Sequence, residues 1–221
     1  MISIITPTFN SESYIDQTIN SIINQSFKNW ELLITDDCST DGTWELLQGY
    51  AKQDNRIKIF QLEKNSGPGV ARNNSIKKAK GRYIAFCDSD DVWKPEKLEM
   101  QIKFLQKNDL PFTFSSYQKI NELGEKGGIV NVPKTLNYNT LLKTCPIGCL
   151  TAIYDTEKIG KVYMPEIRKR QDYGLWLKIF KIIGETKAMN EVLGYYRIRS
   201  DSVSRNKFIA AKYHYKVPPR L

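Results

Sequence analysis

Apolar positions in residues 1–110 follow two rhythms in turn. The runs "ISIIT" (2–6), "WELLIT" (30–35), "IKIFQL" (57–62) and "RYIAFC" (82–87) are short and rich in β-branched residues, as strands are. Between them the spacing becomes helical. Tyr14, Ile15, Thr18, Ile19, Ile22 and Ile23 recur on one face, with Asn10 or Ser11 expected as the cap. "GTWELLQGYAKQ" (42–53) and "VARNNSIKKAK" (70–80) predict two more helices. A fourth is expected to start at Pro95, with Leu98, Ile102 and Leu105 on one side. Strand and helix in alternation imply right-handed βαβ units: an α/β fold with a mostly parallel, Rossmann-like central sheet and helices on both faces.

The rhythm breaks in the second half. "FTFSSYQKI" (112–120) and "GIVNVP" (128–133) bracket "NELGEKG", which predicts a hairpin and hence a small antiparallel element. "DYGLWLKIFKIIG" (172–184) is apolar nearly all round, so that helix is expected to be buried. "GYYRIRSDSVSRNK" (194–207) reads as polar and irregular. The expected organisation is an α/β half over 1–110, a second half of the same domain over 111–205, and a basic tail over 206–221.

At 221 residues such a fold buries a core without disulfides. Cys38, Cys87, Cys145 and Cys149 form no CxxC pair and His214 is the single histidine, which excludes an ordinary zinc site. No leader and no apolar run of about 18 residues is present, so a cytoplasmic location is expected. Charge is placed unevenly: residues 1–110 carry 14 Lys+Arg against 15 Asp+Glu, and 111–221 carry 19 against 9. The second half should therefore meet an anionic partner, whether nucleic acid, anionic lipid or a diphosphate.

Ligands of open parallel sheets bind beyond the carboxyl ends of the strands. Here those ends carry "PTFN" (7–10), "DDCSTDG" (36–42), "NSGPG" (65–69) and "DSDD" (88–91), which predicts an acidic cleft along one edge. Asp88, Asp90 and Asp91 are more acids than a helix start needs, and their mutual repulsion calls for a cation. With no imidazole or paired thiol at hand, a hard ion held by oxygen, Mg2+ or Mn2+, fits a carboxylate-plus-phosphate site. Asp36 and Asp37 contact a nucleoside or, more plainly, shape a turn. "NSGPG" completes neither GxGxxG nor GxxxxGK[ST], so its glycines are expected to serve turn geometry.

In this order, "SIITPTFN", "LLITDDCSTDGT", "NSGPGVARNNSIKKAKGRYIAFCDSDDVWKPEKLE", "RQDYGLWLKI" and "YYRIRSDSVS" resemble the inverting family 2 glycosyltransferases of the GT-A fold, to about residue 205. The resemblance implies a hexosyl- or N-acetylhexosaminyltransferase that takes a nucleotide-diphosphate sugar, UDP first, and a glycan or lipid-linked acceptor in bacterial surface polysaccharide synthesis. It implies that Pro7, Thr8 and Asn10 line the nucleoside pocket and that Asp37 or Asp36 contacts base or ribose. Arg72 would help hold the nucleotide, with Asp88 on the ribose side and Asp90 on the metal. Asp172 matches the general base, and beside Arg168, Lys169 and Arg170 it is expected to stay ionised. Two departures stand out. Gln171 replaces a frequent Glu, and Tyr196-Arg197-Ile198-Arg199 ends in arginine where the family often has histidine. Arg199 is thus expected to contact phosphate, since a guanidinium is no metal ligand.

Two rival readings fit parts of the sequence. A sugar nucleotidyltransferase would carry glycine and lysine just after the first strand, and "PTFNSES" has neither. A non-enzymatic anion- or nucleic-acid-binding domain would suit the basic half but not the aspartate-lined cleft, so no nucleic-acid partner is expected. The tail over 204–221 mixes Lys and Arg with Phe208, Ile209, Tyr213 and Tyr215, which suits peripheral contact with an anionic membrane at its inner face or a solvated end.

Overall fold

The computed structural model describes residues 1–167 and 169–199. Arg168 and the basic tail lie outside the described residues. The first half runs β1 (Ile2–Thr8), α1 (Ile15–Ile23), β2 (Trp30–Asp36), α2 (Thr43–Gln53), β3 (Ile57–Gln61), α3 (Pro68–Lys78), β4 (Tyr83–Phe86), β5 (Val92–Trp93) and α4 (Lys97–Lys107). The second runs β6 (Phe112–Thr113), β7 (Ser115–Ile120), β8 (Lys126–Val130), β9 (Thr135–Asn137) and α5 (Tyr138–Lys143). After a 3-10 turn at Cys149–Thr151 come β10 (Ile153–Asp155), α6 (Thr156–Ile159), α7 (Gln171–Ile183), β11 (Glu185–Lys187) and β12 (Met189–Arg197).

The main sheet has the order β3-β2-β1-β4-β10-β6. Its first four strands are parallel, while β10 adds antiparallel to both β4 and β6. The second half thus completes the sheet built by the first. Period-two alternation puts Ile2, Ile4, Leu32, Ile34 and Ala85 on one face, under α1, α2 and α4. Ile5, Leu33, Ile84 and Phe86 go to the other face, under α3 and the nearly all-buried α7. Both faces are covered, which is what a parallel sheet requires. A second sheet, β5-β12-β7-β8, includes the expected hairpin β7–β8, and β9 pairs with β11.

Three local expectations are corrected and one short strand is added. Neither Asn10 nor Ser11 caps α1 with its side chain; the cap position is Tyr14, and Ser11 closes the preceding turn through its carbonyl. Pro95 lies in the turn before α4, whose cap is Glu96, so the proline sets the approach to the helix and not its first turn. Val92–Trp93 pairs with Gly194–Tyr195 as a strand. Finally, the segment from Gly194 to Arg197 is not irregular: it is the end of β12, whose register against β7 shifts twice and so blurs the alternation. Among the described residues, no helix is long and apolar enough to cross a membrane.

Candidate active site

The four segments after β1 to β4 meet at the carboxyl edge of the sheet and are stitched to one another. Pro7 and Thr8 are buried where β1 ends, and the Thr8 carbonyl accepts the Asp37 N–H at 2.8 Å. Asp37 in turn accepts the backbone N–H groups of Ser66 and Gly67, each at 2.7 Å. Gly67 has φ 94°, open to glycine and costly to other residues, and Pro68 then starts α3. One carboxylate thereby fixes the "NSGPG" loop and the entry to α3. Asp36, fully buried, accepts the N–H and hydroxyl of Ser39 and the Gln61 amide, so its carboxylate shapes the turn after β2. Asn10 has φ 48° and accepts the Thr40 N–H at 2.8 Å, joining the first loop to the second. The Ser11 and Ser89 hydroxyls meet at 2.8 Å, joining the first loop to the fourth.

The three aspartates after β4 have separate fates. Asp88 takes Arg72 Nη2 at 2.5 Å, and Arg72 is only 5% exposed with Nε and Nη1 left without partners. A buried guanidinium with idle donors is a receptor for further anionic oxygens. Asp90 faces Arg199 at 3.6 Å. Burial and then the charge of Asp88 push its carboxyl up to about 6, against the pull of Arg199. Asp91 turns inward: it is buried, accepts the Arg197 N–H at 3.0 Å, and keeps Oδ2 without a partner. Burial raises it well above the usual carboxylate range, reinforced by Asp90 and Asp88.

Only Asp88 and Asp90 therefore remain for a cation. Among the described residues, no three His, Cys, Asp or Glu side chains gather into an all-protein metal cage. Mg2+ and Mn2+ need none when phosphates complete the shell. An oxygen-only donor pair, an uncomfortable Asp90 charge and idle Arg72 donors fit a divalent cation that arrives with a diphosphate.

Asp172 joins this group from α7. Gln171 packs its Cγ where a side chain on Gly69 would stand, 3.3 Å from that Cβ position, so the starts of α3 and α7 are in contact. Pro165 fills the notch left by Gly174, whose Cβ would fall 2.5 Å from the proline Cγ. The half-buried Asp172 carboxyl is raised by burial; Arg72 pulls it down, followed by the Tyr173 N–H and, more weakly, Arg170, while Asp88 pushes it up. Burial wins over the cations, so the carboxyl is raised from its ordinary value. Among the described cations, Arg72 acts on it more strongly than Arg170. Cys149 shares the neighbourhood, its thiol pushed up by burial and Asp88 and pulled down by Arg72. A separate groove of about 760 Å³ lies on the opposite face of α3, along Val70, Asn73, Asn74 and Lys77.

The structure thus brings Arg72, Asp88 and Asp172 into one electrostatic neighbourhood and sets Asp90 beside Arg199. It ties Thr8, Asn10, Asp36 and Asp37 into the loops that border them. Ser89 and Arg197 tie these loops together without having been singled out, and Ser11 does so although expected only as a helix cap; for Arg197 the signal was its place in "YYRIR", two residues before Arg199.

The family model described as "Glycosyl transferase family 2" matches residues 3–153. A Bacillus subtilis protein named as a teichuronic acid biosynthesis glycosyltransferase, TuaG, is 45% identical over 213 residues, covering 96% of this chain and 84% of that protein. The Escherichia coli UDP-Glc:alpha-D-GlcNAc-diphosphoundecaprenol beta-1,3-glucosyltransferase WfgD is 40% identical over 98% of this chain and 85% of its own length. Among solved structures, S. aureus TarS 1-349 in complex with UDP-GlcNAc matches with a TM-score of 0.78 at 26% identity. That match covers 98% of this chain, which spans 64% of the TarS chain.

Proposed function

The chain belongs to glycosyl transferase family 2, and from that premise we propose that it moves a sugar from a UDP-sugar, with inversion and with a divalent cation, to a hydroxyl of a glycan or lipid-linked acceptor in bacterial surface polysaccharide synthesis. The observation that carries this reading is the meeting of Arg72, Asp88 and Asp172, with Asp90 nearby, beyond the strand ends of one parallel sheet. The names of TuaG and WfgD support the acceptor class and the UDP of the TarS complex supports the donor.

In this reading Pro7, Thr8 and Asn10 border the nucleoside, which Asp37 contacts, with Asp36 holding the loop behind it. Asp88 faces the ribose. Arg72 donates its idle N–H groups to the nucleotide, and Arg199 neutralises phosphate charge. Mg2+ or Mn2+, held by Asp90, would stabilise the charge that gathers on the departing diphosphate. Asp172 takes the proton from the acceptor hydroxyl as that oxygen attacks the anomeric carbon. Its upward shift, caused by burial against the pull of Arg72, makes it a better base than a free aspartate. The enzyme acts in the cytoplasm at the inner face of the membrane, where a lipid-linked acceptor is presented; the tail proposed for that contact lies outside the described residues.

The test is transfer from α-linked UDP-glucose or UDP-GlcNAc to GlcNAc-diphosphate carried on a short prenyl chain, with the new linkage read by NMR. A β-linked product that needs Mn2+ or Mg2+ is expected. An α-linked product would overturn the inverting role of Asp172. Equal yield in EDTA would overturn the role of the cation.

A further inference from the structure

Arg197, at the end of β12, is buried to 2% exposure, and two of its hydrogen bonds go to the segment that carries Asp90. Its backbone N–H goes to Asp91 Oδ1 at 3.0 Å, and its Nε to the carbonyl of Asp90 itself at 2.9 Å. Nη1 holds the carbonyls of Asn121 and Glu122 at 3.1 and 3.0 Å, in the β7–β8 turn. Nη2 reaches Gln17 Oε1 on α1 at 2.7 Å, and the guanidinium lies 5.1 Å from the centre of the Tyr14 ring. The Arg199 guanidinium stands 4.9 Å from the same ring.

Four side-chain hydrogen bonds occupy this guanidinium, which leaves it little to offer a phosphate. Its work is done on the backbone. Fixing the Asp90 carbonyl and the Asp91 carboxyl on either side of one peptide fixes the direction in which Asp90 leaves the chain. The same side chain ties that peptide to the hairpin turn of the second half and to α1. We propose that Arg197 is a positioning residue for the cation and diphosphate: it sets the aim of Asp90 and, with Tyr14, the place of Arg199. Only a planar fork reaches acceptors on these three sides, so lysine, which keeps the charge, cannot substitute.

The inference rests on the proposed cation at Asp90, and the experiment separates the two. Mn2+ binding to the full chain is titrated by the EPR signal of free Mn2+ at saturating UDP, and UDP binding is measured separately in EDTA. Arg197→Lys is expected to weaken Mn2+ binding roughly tenfold or more, the usual scale for losing a group that orients a ligand. Metal-free UDP binding should stay within about twofold, since the nucleoside loops are held by Asp36, Asp37 and Asn10. The metal requirement for transfer should rise more than kcat falls at saturating Mn2+. If Arg197→Lys does not fold, Gln17→Ala, on an exposed helix position, removes one contact and should weaken Mn2+ binding about two- to threefold. Unchanged Mn2+ affinity in a folded variant overturns the inference, as does an equal loss of metal-free UDP binding. Absence of Mn2+ binding by the wild-type chain with UDP overturns the cation at Asp90 and this inference with it.

Discussion

Asp172→Asn is expected to lower transfer by roughly 10²–10⁴-fold while UDP and Mn2+ binding stay within about threefold of wild type. Asparagine keeps the size of the side chain and loses the basic oxygen, so the loss should appear in kcat and not in donor affinity. The pH profile adds a signature. Burial raises the Asp172 carboxyl against the pull of Arg72. A group raised in this way takes up its proton at a higher pH than a free aspartate, and only the ionised form is a base. Wild-type kcat should therefore fall on the acid side, beginning above the ordinary aspartate range, and the residual activity of Asp172→Asn should lack that limb. Transfer retained at wild-type rate would remove Asp172 from the chemistry.

Asp90→Asn should lose function and gain stability. Removing the one charge proposed to hold the cation is expected to lower transfer by ~10²–10³-fold and to abolish the metal dependence of UDP binding. In the free protein the same charge is a burden, since burial and Asp88 push its carboxyl up to about 6. A raised carboxyl releases its proton more readily in the unfolded chain, so it costs stability fully above about pH 6 and not at all below the free-aspartate value near 4. Urea unfolding at pH 7 should thus show the variant more stable by about 1–2 kcal/mol, a gain that shrinks toward pH 4. Equal or lower stability at pH 7 would mean that Arg199 already compensates the charge at its 3.6 Å distance.

The parallel half of the fold was legible because its strands alternate cleanly and both faces are buried, as with Ile4 and Ile5 on opposite clusters. The placement of the acidic loops was legible for a related reason: parallel strands carry all their following loops to one edge, so "DD" and "DSDD" could be assigned to the same edge from the sequence. Legibility failed where local signals are short or local rules give way to long-range contacts. Val92–Trp93 is too brief to show a period. The end of β12 passes two register shifts, and its polar "YYR" is held by partners more than a hundred residues away, Asp91 among them. Composition alone could not tell that Asp91 points into the core, that Asp36 serves Ser39, or that Arg72 acts on Asp172 more strongly than Arg170 does.

The most direct measurement is thermal unfolding of the full chain with UDP, GDP, CDP and dTDP, each with Mn2+ or with EDTA. A nucleotide at 100 times its Kd stabilises by about 2.7 kcal/mol, on the order of 5–10 °C for a domain of this size. A shift of that size with UDP and Mn2+, clearly smaller in EDTA and much smaller with the other nucleotides, is the expected result. No shift with any nucleotide, or one indifferent to the metal, would contradict a UDP-sugar and cation site built on Asp90 and Arg72.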